Sequence, residues 1–357
     1  MPMNNRQRLT TAFDLVPPDR PPILGGWLAA PGHIQLLTGC TDDDYWADPE
    51  YWTIRAEQAL GSDGLVHLFV PVSRGEYRCV DGQVLQQRRA YTLEDVVAEI
   101  EALPSPEEVA AGFDEESAYR EFVAQYQVQQ AACGELLWCP NHWDIIPKAL
   151  WYHEYGYENA LMLVALYPEH ERKLLARGAV KGRQCATLIA RGIREGWYPA
   201  GILTGEDLCG QRGPMVSPEF LRREYFPLVE AVFAPLVEAG ARLVWHCDGD
   251  YRTLIPDVLA CGAAGLQGFQ AECGMTLDWI TNLRTRNGDP LLIFGPMSVT
   301  TTMPYGTADD VRAEVTRAMN LCRDRASLVF FTSNTLTPDV PLANIHALWD
   351  AVHGSRW

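Results

Sequence analysis

The second half of this chain repeats one rhythm: a short apolar stretch, a polar loop, then an amphipathic segment. The apolar stretches are Ala200–Thr204, Arg242–Cys247, Gly265–Phe269, Leu291–Gly295 and Ser327–Thr332. Runs of this length, bounded by polar loops, read as strands buried on both faces. The segments between them carry helix signals. "SPEFLRREYFPLVEAVFAPLVEAG" offers Ser217 as N-cap, Pro218 in the first turn and Gly240 as the stop. "TADDVRAEVTRAMNLC" places Asp310 three residues after Thr307, the pattern of a capping box. Strands that alternate with helices at this spacing must pair in parallel, because each return passes through a helix.

The first half is less regular but adds what the pattern lacks. A helix over Arg6–Phe13 precedes "VPPDRPP", and strands are expected at Pro22–Leu28, Gly64–Val70 and Glu135–Cys139. "EYRCVDGQVLQQR" reads as a hairpin turning at Asp81-Gly82. Helices are expected at Leu93–Ala102, Glu116–Ala132 and Glu169–Arg194. Eight strands in all predict an α/β (β/α)8 TIM barrel, one domain over residues 1–357, with an N-terminal helical extension and a β-hairpin excursion. A doubly wound open sheet is the alternative, but no glycine-rich phosphate loop follows the first strand.

Bulk properties narrow the function classes. A net charge of −17 argues against nucleic acid, whose phosphates call for clustered Lys and Arg. The longest apolar run, Ala160–Leu166, is far too short to span a bilayer, and "MPMNNRQRLTTAF" lacks a secretory apolar core. Ten cysteines without a CxxC pair, in a chain too long to need staples, suit reduced thiols in a cytoplasm.

In a barrel of this kind the chemistry sits at the C-terminal strand ends. There the chain offers Glu206 and Asp207, His246 and Asp248, Gln267, Gln270 and Glu272, Ser298, and Ser333 with Asn334. Strand alternation puts His246 and Asp248 on one face and turns Cys247, a small buried hydrophobe, to the other. An imidazole and a carboxylate so placed can bind a divalent ion, with Glu206 from the preceding strand as third ligand. Most such pairs are instead hydrogen-bonded strand ends or positioners for substrate. His142 in "CPNHWD" can line the pocket or pack in its loop, and Trp27, Trp138, Trp143 and Trp151 can wall an apolar cavity or belong to the core.

With these residues in view, the chain resembles the uroporphyrinogen decarboxylase superfamily, which includes the decarboxylase and cobalamin-dependent methyltransferases. The resemblance rests on "NNRQRLTTAFDLVPPDRPPI", "TGEDLCGQRGPMVSPEFLRREYFP", "WHCDGDYRTLIPDVLACGAAGLQGFQAECGM", "PYGTADDVRAEV" and "TSNTLTPDVPLANI", in that order. It implies a TIM barrel, often dimeric. The decarboxylase grips its many carboxylates with an arginine-rich motif, whereas the matching "ILGGWLAAPGHIQLLTG" has no arginine. The coenzyme M methyltransferases hold zinc through His-x-Cys and a later cysteine; the matching positions here are His246, Asp248 and Asn334. Oxygen in place of sulfur leaves a harder ion, suited to Lewis-acid work on an ether oxygen.

The resemblance therefore implies a corrinoid-linked, zinc-dependent methyltransferase acting on a small methylated compound. A partner protein would carry cobalamin. His246, Asp248 and Glu206 would hold zinc, with Glu206, Asp248 and Glu272 as catalytic groups. Gln267, Asn334, His142 and Trp27 would contact substrate. Two alternatives stay open: a metal-free carboxy-lyase acting on a smaller acid, and a non-catalytic ligand-binding barrel.

Overall fold

The computed structural model describes residues 2–70, 73–74, 78–80, 83–85 and 90–357. Eight short strands form the wall: β1 (Leu24–Gly25), β2 (Gly64–Leu65), β3 (Leu137–Trp138), β4 (Gly201–Gly205), β5 (Arg242–His246), β6 (Gly265–Gln267), β7 (Leu292–Met297) and β8 (Ser327–Thr332). They pair in parallel as two arcs, β1 to β3 and β4 to β8, each in sequence order. Two seams join the arcs. Ile23 bridges to Phe330 and Leu28 to Leu336, closing β8 onto β1. On the other side the His142 N–H donates to the Leu203 carbonyl at 2.8 Å, and the Thr204 hydroxyl donates to the His142 carbonyl at 2.7 Å. The ring is a (β/α)8 barrel.

The first three strands are shorter than the sequence predicts. After Gly25 the chain leaves the sheet at Gly26, whose φ is +105° and whose Cβ would lie 1.9 Å from the His67 carbonyl oxygen. Only glycine fits that crossing. The predicted hairpin is present as Arg78–Val80 paired antiparallel with Gln83–Leu85, while its Asp81-Gly82 turn lies outside the described residues. The expected helix from Ser217 to Gly240 is interrupted by a π segment, Leu221–Tyr225, before Phe226–Glu238. Pro227 has no N–H to donate to the Arg223 carbonyl and its ring would strike that oxygen, so the turn widens and Phe226 bonds back to Leu221 instead. Ser217 stands at the N-cap position but makes no side-chain cap bond.

Side chains of alternate strand residues fill the interior: Leu24, Leu137, Leu203, Val244, Leu292, Phe294, Val329 and Phe331. Their neighbours Ile202, Leu243, Trp245, Ile293 and Phe330 face outward to the helix layer. The helix α1 (Asn5–Phe13), closed by an Asn4–Gln7 capping box, seals the bottom with Leu9, Ala12 and Phe13. Burying Leu9 and Phe13 contributes about 1.5–3 kcal/mol each. Arg8 then bonds Asp19 at 2.8 Å and Asp63 at 2.6 Å, and Arg20 reaches Asp63 at 2.8 Å. Among the described residues α1 thus plugs the bottom of the barrel, leaving the C-terminal strand ends as the opposite mouth. No described helix is long and apolar enough to cross a membrane.

Candidate metal centre

The inward-facing register of β4 and β5 determines which groups reach the mouth. On β4 the interior positions run Leu203, Gly205 and then Asp207; on β5 they run Val244, His246 and Asp248. The ladder sets His246 between Gly205 of β4 and Gln267 of β6. Asp207, His246 and Asp248 consequently converge, each offering a ligand atom within 4.8 Å of the others. His246 Nε2 lies 3.4 Å from Asp207 Oδ1.

Each member of the cluster is held from behind by a different element. Asp207 accepts from the Asp248 backbone N–H at 2.9 Å and from the Tyr152 hydroxyl at 2.9 Å. His246 Nδ1 is hydrogen-bonded to Gln267 Oε1. Asp248 Oδ2 accepts from Asn334 Nδ2 at 2.7 Å, and Asn334 Oδ1 in turn accepts from the Thr335 N–H at 2.7 Å. Asp248 Oδ1 is buried and has no hydrogen-bond partner among the described residues. Trp27 and Trp143 meet the His246 ring edge-on, with centroids 5.8 and 5.3 Å away. Room for that ring comes from Gly268 (φ +77°), where a Cβ would fall 2.5 Å from His246 Nδ1.

Electrostatics at the cluster follow from this packing. Burial alone would lower the imidazole pKa, but the hydrogen bond and charge of Asp207, helped by Asp248 and Gln267, raise it to about 9. Burial works to raise Asp207, yet its bonds from His246, Asp248 and Tyr152 hold it well below the usual carboxylate range. Burial and the Asp207 charge push Asp248 up to about 6 against the pull of His246. The arrangement keeps a positive charge between two carboxylates. A divalent ion there would meet the same field and displace the imidazole proton. One nitrogen and two carboxylate oxygens, one of them without a partner, fit zinc or a similar divalent ion that takes N and O ligands.

The structure moves several expected residues. Glu206 does not join the cluster: it falls on the outward parity of β4, and its carboxylate accepts the Ala149 and Leu150 N–H groups at 3.0 and 2.7 Å. Burial, opposed by those two bonds, takes its pKa to about 7. Asp207 occupies the place expected for it. Gln267 is fully buried and donates to the Thr332 and Ser333 carbonyls at 2.8 and 3.1 Å, so its amide faces His246 and has no surface for substrate. Asn334 likewise faces Asp248. His142 lies in the β3–β4 seam against the Tyr198 hydroxyl at 2.6 Å, where burial takes its pKa down to about 4. Trp27 is at the cluster. Glu272 is exposed on the rim and accepts from the Thr300 hydroxyl. Cys247 is buried on the opposite face from His246, as alternation requires. Nine described cysteines are free.

Residues 200–355 match the family model described as Uroporphyrinogen decarboxylase (URO-D). Among solved structures, a methyltransferase from Methanosarcina mazei is similar over 98% of this chain and 98% of its own, with a TM-score of 0.60 and 15% identity. At that identity the likeness is one of fold. No curated protein matches in sequence.

Proposed function

From the match of residues 200–355 to the uroporphyrinogen decarboxylase family model, we propose that this chain is a member of that superfamily and a methyltransferase, taking a methyl group from a small methylated compound, such as a methoxy compound, and delivering it to a corrinoid-binding partner. The observation that carries this reading is the Asp207–His246–Asp248 cluster at the barrel mouth, with Asp248 Oδ1 buried and unpartnered. The whole-chain likeness to a protein named as a methyltransferase supports it.

His246 Nε2, Asp207 and Asp248 would hold a divalent ion, zinc in our reading. When bound, that ion supplies Lewis acidity at the oxygen that gives up its methyl group. The partner's corrinoid supplies the acceptor. The chain's own residues do the rest. Trp27 and Trp143 flank His246 and give its ring an apolar wall. Tyr152 and Asn334 hold the two carboxylates in place. In our reading Glu272, at the rim beside Thr300, lines the approach to the cluster, and the departing oxygen takes its proton from water. The partner would dock over the mouth, the one end of the barrel that α1 does not close.

A second reading has one observation in its favour. Asp248, held at about 6 beside a charged His246, could act as an acid without metal, as a carboxy-lyase of a smaller substrate would need. Metal analysis of purified wild-type and His246→Ala protein separates the two, alongside methyl transfer from a methoxy compound to free cob(I)alamin, kept reduced by a chemical reductant and followed by visible absorbance. Bound zinc that disappears in the variant, with transfer lost on chelation, is expected. Chelated protein that keeps full transfer overturns the metal mechanism. Metal-free protein that releases carbon dioxide from a small acid favours the lyase.

A further inference from the structure

The three ligand candidates are not equivalent in how they are oriented. A carboxylate can present either oxygen, but an imidazole has two distinct nitrogens, and only one can face the cluster with a free lone pair. That choice is made by the group behind the ring. Here the group is Gln267, and its amide has no freedom of its own. Its nitrogen donates to the Thr332 carbonyl at 2.8 Å and the Ser333 carbonyl at 3.1 Å, both on or just after β8. A flipped amide would set its oxygen against two carbonyl oxygens, losing both bonds to β8 in a fully buried position. Oε1 must therefore face the ring, and as an acceptor it requires a proton on Nδ1.

We propose that Gln267 is the positioning residue of this site: locked by the β8 carbonyls, it holds the proton on His246 Nδ1 and so assigns Nε2 as the metal-binding nitrogen. This rests on the reading of the cluster as a metal site, which it deepens. Gln267 acts through His246 and touches neither ion nor substrate. Its place on β6, directly beside His246 in the ladder, makes the control geometric as well as chemical. Gly268, the next residue, leaves the space that the ring occupies.

The test compares wild type with Gln267→Met, which fills the same volume without an acceptor, and Gln267→Glu, which keeps an acceptor for the ring but loses the N–H bonds to the β8 carbonyls. Cobalt(II) is titrated into metal-free protein and followed by its visible spectrum. Gln267→Met should bind about 10–100-fold more weakly, and Gln267→Glu should recover part of the loss. Equal affinity in Gln267→Met, with unchanged folding by circular dichroism, overturns the proposal. A second readout needs no metal: in 15N-histidine-labelled protein, His246 should show a slowly exchanging proton on Nδ1 that disappears in Gln267→Met. A wild-type signal that is absent, or unchanged in the variant, also overturns it. Should wild type bind no cobalt, the metal reading fails, and the nitrogen spectrum alone decides the role of Gln267.

Discussion

At the scale of single residues, the site turns on which of two adjacent acids faces inward. Glu206 and Asp207 are neighbours in the chain, yet one caps two buried backbone N–H groups and the other meets His246. We expect Asp207→Asn to weaken divalent-ion binding at least about tenfold. Glu206→Gln should leave binding nearly unchanged while costing about 1–3 kcal/mol of stability, because an amide can satisfy only one of the two N–H groups. Metal affinity and urea denaturation of the two variants check this together. The distinction was available in the sequence. Carrying the alternation of His246 and Asp248 over to the preceding strand sets Leu203, Gly205 and Asp207 on one face and leaves Glu206 on the other. What alternation cannot reveal is Tyr152, which arrives from a helix after β3 and bonds Asp207 across 55 residues of sequence. Nor can it show that Gln267 and Asn334 face His246 and Asp248, since that depends on carbonyls and an N–H supplied by β8 and its loop.

Among elements, the long periodic ones were the legible ones. The expected helix Glu169–Arg194 appears as Pro168–Arg194, and the expected helix Glu116–Ala132 as Glu115–Cys133. The capping box at Thr307 and Asp310 is formed, with the Asp310 N–H donating to the threonine hydroxyl at 3.2 Å and the carboxylate accepting the Thr307 N–H at 2.8 Å. Thr307→Ala should cost about 1 kcal/mol, read as a lower thermal midpoint with cobalt affinity unchanged. The first strand ends before its apolar sequence does because Gly26 takes the backbone out of the ladder. The π segment was hidden for a related reason. A proline inside a strongly apolar helical pattern signals a break, but not whether the chain will stop or widen by one residue.

At the scale of the whole molecule, the barrel is anchored at its closed end by charge as well as by apolar packing. The hydrogen bond from Arg8, opposed by partial burial and aided by N–H groups of Met3 and Arg20, lowers Asp19 to about 2. A depressed carboxyl contributes stability that is full above its unfolded value, near 4, and is lost as pH falls through about 4 to 2. Denaturation midpoints should therefore drop over that interval in wild type and drop less in Asp19→Asn. The two arcs of the wall differ in kind. The five-strand arc carries Asp207, His246 and Asp248 with the amides that orient two of them, bound by continuous ladders and cross-braced from Gln267 to β8. The three-strand arc, with its two-residue strands, carries Trp27 and leads into Trp143, and it meets its neighbour through only a few bonds at each seam. The side of the wall that carries the cluster is thus set by continuous ladders, while the side that carries the aromatic lining is set by isolated bonds.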